Sequence, residues 1–142
     1  MSYRIFVDTN VYLDFLLHRG GEWDKAEAIM ELAERNAIEL FTSSSCMLNL
    51  IYIMNNYKVT RHTIIAYASI LLSYSKLANP DNTAFQTALS SGFTDLEDAV
   101  QYYTALHIKG LDYFITSNIK DFKKATAQLP VLSLTQFMAL YK

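Results

Sequence analysis

Tyr3-Arg4-Ile5-Phe6-Val7-Asp8-Thr9-Asn10 is the stretch from which the fold can be read. Three apolar residues, Ile5 to Val7, end on an acid and two turn-formers, and a helical spacing follows at Val11, Leu13, Phe15, Leu16 and Leu17. A short unbroken apolar run bounded in this way is the pattern of a strand buried on both faces. Leu111-Asp112-Tyr113-Phe114-Ile115-Thr116-Ser117-Asn118 repeats the layout late in the chain, with Asp121 just beyond. Further short strands are expected over residues 38–42 and, behind Pro130, over 129–132.

Helices fill the intervals. The first ends at Arg19-Gly20-Gly21, and a second is predicted over 23–36, where Asn36 can close it in a left-handed turn. A third runs over 46–55, capped by the hydroxyls of Ser43-Ser44-Ser45. A fourth covers 60–74, with Ile64, Tyr67, Ala68, Leu71 and Leu72 on one face. Asn79-Pro80-Asp81 breaks the chain before a short helix to Leu89, and the last two helices are expected over 94–109 and 135–141. Strands alternating with helices, and no hairpin signal, give an α/β fold with a mainly parallel sheet.

Hydrophobic residues make up 51% of the 142, and charged ones only 18%, so one domain over 1–142 with a sizeable core is expected. A net charge of −2 excludes a globally basic nucleic-acid binder but not a local basic patch. The single cysteine, Cys46, excludes an internal disulfide and a cysteine-based zinc site, and suits a reducing cytoplasm. The chain enters a strand almost at once, so no leader is expected, and no apolar stretch reaches the roughly 20 residues of a membrane span. The chain has no phosphate-binding glycine loop, and Ser43–Ser45 lack the glycine flanks of a hydrolase elbow. His18, His62 and His107 show no ligand spacing.

The acids carry the functional signal. Asp8 and Asp121 follow apolar strands, at the end of the sheet where open α/β folds bind their ligands. Thr94-Asp95-Leu96-Glu97-Asp98-Ala99 opens a helix with three acids in one turn. Thr94 and Glu97 have the spacing of a capping box, which gives Glu97 a structural role. Asp95 and Asp98, three apart, share a helix face, with Glu97 directed elsewhere. Clustered carboxylates without lysine or arginine repel one another unless a divalent cation holds them through oxygen ligands.

Val7-Asp8-Thr9-Asn10-Val11, Asp95-Leu96-Glu97-Asp98-Ala99 with Ala105, and Ile115-Thr116-Ser117-Asn118-Ile119-Lys120-Asp121-Phe122 together resemble the motifs of the PIN-domain family of metal-dependent ribonucleases, which includes VapC-type toxins. The resemblance spans essentially the whole chain. It implies a three-layer α/β/α domain that cleaves RNA with Mg²⁺ or Mn²⁺, with Asp8, Asp98, Asp121 and Asp95 at the metal and Asn49 and Asn118 in supporting catalytic roles. It also implies substrate contacts from Thr9, Thr116, Ser117, Arg19 and Lys120, an antitoxin partner, and a homodimer for which Tyr52, Tyr57, Tyr67 and Tyr74 are candidate contacts. The sequence departs from the family at one point. Where a glutamate is usual on the helix after the second strand, Asn49 stands, and no acid occurs between Glu39 and Asp81. An amide there lowers the negative charge, so Asn49→Glu is expected to tighten Mn²⁺ binding. The alternative reading is a silent PIN-like module that binds RNA or protein without cutting. A receiver domain fits poorly, because residues 38–42 carry no acceptor aspartate.

Overall fold

The computed structural model describes residues 2–141 and shows a five-stranded, all-parallel sheet. Its strands are β1 (Tyr3–Val7), β2 (Ile38–Ser43), β3 (Ser75–Ala78), β4 (Tyr113–Ile115) and β5 (Val131–Leu132), in the order β3-β2-β1-β4-β5. Helices α1 (Thr9–Leu17), α2 (Trp23–Glu34), α3 (Ser44–Asn56), α4 (Arg61–Tyr74), α5 (Asn82–Leu89), α6 (Leu96–Leu106) and α7 (Leu134–Tyr141) complete the α/β/α layering. The alternation of the strands explains the layers. Ile5, Val7, Leu40 and Ile115 face one apolar core with Leu13, Ile29, Leu50 and Phe137, while Phe6, Phe41 and Phe114 face a second with Ala99, Tyr102 and Ala105. Phe6 and Phe114 stack across adjacent strands at 5.3 Å between ring centroids. Each such fully buried ring contributes about 1.5–3 kcal/mol.

Four expectations need correction. β3 has no counterpart in the sequence pattern: its four residues form an exposed edge whose Lys76 pairs with Glu39, and the apolar spacing of α4 runs straight into it. Leu72, expected on the packed face of α4, is exposed, and only Ile64 and Leu71 of that helix are fully buried. The helix expected from Thr94 begins at Leu96 with Asp95 as its N-cap, and it ends at Leu106 rather than Lys109. Gly110 lies beyond it at φ +76°, where an added Cβ would sit 2.6 Å from the Arg4 guanidinium. Asn36, in contrast, adopts the expected left-handed conformation, at φ 59°.

The strand order places a switch point in the middle of the sheet. From β1 the chain builds outward through β2 to β3, then crosses to the other side of β1 for β4 and β5. Beyond the carboxyl ends of β1 and β4 the helical connections diverge, which leaves a crevice there. Asp8 and Thr116 are the first residues past those two strand ends.

Candidate metal centre

Asp8 stands at the N-cap of α1 yet makes no side-chain capping bond, so the ordinary reason for an acid after a strand does not apply. Its amide donates to the Ile115 carbonyl at 2.9 Å, extending the β1–β4 ladder by one rung. Its side chain, only 2% exposed, accepts from the Thr116 hydroxyl at 2.9 Å. Thr116 in turn accepts from the Asn118 amide at 3.1 Å, so one hydroxyl ties Asp8 to the turn that carries Asn118. Asn118 donates through its side chain to the carboxylate of Asp121, which lies in a short 3₁₀ turn over Ile119–Phe122. Phe122 anchors that turn in the core against Phe114, at 4.9 Å. The following loop is pinned by the Tyr102 hydroxyl, which accepts from the Thr126 amide at 2.9 Å and donates to the Leu129 carbonyl at 2.7 Å.

The third segment comes from the first turn of α6. Asp95 accepts from the Asp98 amide at 3.1 Å, so the cap is an aspartate and not the expected Thr94–Glu97 box. Glu97, released from capping, accepts from the Asn49 side-chain amide of α3 at 3.2 Å. It therefore turns toward α3 rather than back to the start of its own helix. Asp98 is half-buried between these groups.

The electrostatics are those of uncompensated charge. Burial pushes the Asp8 carboxyl up to about 6, against smaller relief from the Thr116 hydroxyl and the Thr9 amide and with added repulsion from Glu97 and Asp95. Asp98 is pushed up to about 7 by burial first, then by Asp8, Asp95, Asp121 and Glu97. The ion pairs among the described residues are Arg4–Glu39, Arg19–Asp14, Lys25–Glu22 and Lys76–Glu39, and none neutralises an acid of the crevice. Among the described residues, no three His, Cys, Asp or Glu side chains are grouped so that they could hold a metal ion as they stand. The donor set nevertheless fits a hard divalent cation: it is all oxygen, negatively charged and without basic partners.

A family model described as PIN domain matches residues 4–120. The chain belongs to the PIN-domain family. No curated protein matches it. Among solved structures it is similar in fold to VapBC2 from Rickettsia felis bound to a DNA fragment from their promoter, with a TM-score of 0.67 at 19% identity over 92% of this chain and 98% of that one. A toxin–antitoxin complex from Klebsiella pneumoniae gives 0.66 at 21% identity, covering 92% and 97%. VapC20 of Mycobacterium tuberculosis, a sarcin–ricin loop cleaving toxin, gives 0.59 at 17% identity, covering 78% and 86%.

On this PIN fold the remaining candidates scatter more widely. Thr9 is buried, with its hydroxyl unpartnered, whereas Ser117 and Lys120 are exposed beside the crevice. Arg19 pairs with Asp14 at 3.0 Å and reaches the Asn10 side chain at 3.3 Å. Cys46 is a buried helix residue that donates to Gln101 at 3.0 Å. Of the four tyrosines, Tyr52 and Tyr57 are exposed, while Tyr67 and Tyr74 pack against the core edge. Sequence reasoning gives Glu97 a capping role that the fold does not use. The signal is present all the same, since aspartate outranks threonine as an N-cap and Asp95 therefore leaves Glu97 without a capping role.

Proposed function

We propose that this PIN domain is a metal-dependent endoribonuclease, the toxin of a toxin–antitoxin pair, acting in the cytoplasm. The observation that carries the reading is Asp8: a carboxylate almost wholly buried at the switch point, with no basic partner and three further acids bearing on Asp98 beside it. Burying such a charge unpaired is costly, and a fold keeps it where an ion or substrate completes the site. Asp8, Asp98 and Asp121 would hold Mg²⁺ or Mn²⁺, with Asp95 close by. A divalent cation bound there supplies charge neutralisation at the phosphodiester and makes the attacking water more acidic. Thr116 holds Asp8 in one orientation, and Asn118 does the same for Asp121. Ser117 and Lys120, both exposed, would contact the RNA backbone.

The Klebsiella structure is a toxin–antitoxin complex, and an antitoxin segment covering the acidic crevice would be the corresponding partner here. No helix among the described residues is long and apolar enough to cross a membrane. The test is incubation of the pure protein with structured and unstructured RNA, in Mn²⁺ and then in EDTA. Cleavage confined to Mn²⁺ is expected. RNA binding without cleavage in Mn²⁺ would favour the silent module instead.

A further inference from the structure

We propose that Glu97 supplies the acid that α3 lacks, and that Asn49 is the side chain that orients it. The inference rests on the metal-dependent reading above and extends it to two residues. Asn49 lies in the second turn of α3 and Glu97 in the first turn of α6, and they meet at 3.2 Å across 48 positions of sequence. A carboxylate can only accept, so the Asn49 amide must donate to it. Glu97 has no other claim on it: Asp95 caps α6, and no ion pair among the described residues includes Glu97. It directly precedes Asp98 in the first turn of α6.

The substitution at Asn49 therefore places this negative charge on α6 instead of α3. An acid at position 49 would face Glu97 at hydrogen-bonding distance, where two carboxylates repel and one must swing away. This reverses the expectation that Asn49→Glu strengthens the site.

The experiment is Mn²⁺ titration of the full chain by calorimetry at pH 7.5, with no RNA present. Glu97→Gln is expected to weaken Mn²⁺ binding about tenfold or more. Asn49→Glu alone should bind no more tightly than wild type. The double variant Asn49→Glu/Glu97→Gln, which returns the acid to α3 and lets the new amide donate to it, should recover affinity to within about threefold. That recovery separates a misplaced charge from simple damage to α6, which a second substitution would not repair. Wild-type affinity in Glu97→Gln, tighter binding in Asn49→Glu, or no recovery in the double variant would each overturn the proposal. Wild-type protein that binds no Mn²⁺ would overturn it together with the proposed function, whereas an unaffected Glu97→Gln overturns this inference alone.

Discussion

Removing the Asp8 charge should make the metal-free protein more stable at alkaline pH. An aspartate in the unfolded chain titrates near 3.8, whereas in the fold Asp8 titrates at about 6 and Asp98 at about 7. Between those values the native state binds more protons than the unfolded state, so stability falls as pH rises. A tenfold difference in proton affinity between the two states is worth about 1.4 kcal/mol. From pH 5 to pH 8 Asp8 therefore accounts for about 1.4 kcal/mol, and the remainder of its effect falls below pH 5. Asp98 is half open to solvent and is discounted by about half for screening, which leaves a similar amount. The loss in EDTA is then about 3 kcal/mol, or roughly 10 °C in melting temperature for a chain of this size. Glu39 acts in the opposite sense, but Lys76 and Arg4 lower it below 4.5, so its contribution disappears only on the acid side of this window.

In Asp8→Asn the first contribution vanishes and the Coulombic push of Asp8 on Asp98 goes with it, so the slope should fall by more than half. The variant should be about 1–2 kcal/mol more stable than wild type at pH 8, once mismatched donors at Thr116 and Thr9 are allowed for. Urea unfolding from pH 5 to pH 8 in EDTA measures both quantities. Saturating Mn²⁺ should offset the wild-type deficit, by about 2.7 kcal/mol at a hundred times its dissociation constant. A wild-type stability that is flat or rising with pH, or an Asp8→Asn variant that keeps the wild-type slope, would refute the reading of Asp8 as an uncompensated buried charge.

Asp98→Asn and Asp121→Asn should each lower Mn²⁺-dependent RNA cleavage by at least about 10²-fold with an unchanged far-ultraviolet dichroism spectrum; wild-type cleavage in either would remove that residue from the site. Thr116→Val takes the hydroxyl from Asp8 and the acceptor from the Asn118 amide, and should cost about 1–3 kcal/mol in urea unfolding while raising the Asp8 titration midpoint, which carboxyl NMR reads directly. Phe114→Ala empties the centre of the aromatic core beneath the crevice and should cost about 3–5 kcal/mol. A smaller loss would mean that Phe6, Tyr102 and Phe122 close the gap.

How much of this is legible in the sequence depends on the range over which each feature is decided. The runs Ile5–Phe6–Val7 and Phe114–Ile115 announce buried strands because both faces of a parallel strand select apolar residues, and the acids after them mark one end of the sheet. The parallel α/β class follows from that local evidence. β3 is illegible because an edge strand of Ser75, Lys76, Leu77 and Ala78 is half solvated and selects for almost nothing. The order β3-β2-β1-β4-β5 depends on how connections cross, which no local pattern encodes.

The acids divide in the same way. Asp8 can be singled out from its neighbours, because Thr9 and Asn10 already offer capping groups and make a carboxylate redundant. Glu97 cannot, because its position three residues after Thr94 satisfies a local rule that the fold does not use. Two local rules compete for the start of α6, and the aspartate cap prevails because it meets the Asp98 amide one residue further along. What then decides the direction of Glu97 is a donor on another helix, 48 positions away. Asn49 read alone is a lost ligand; read with Glu97 opposite it, it is the donor that fixes the direction of a carboxylate from another helix.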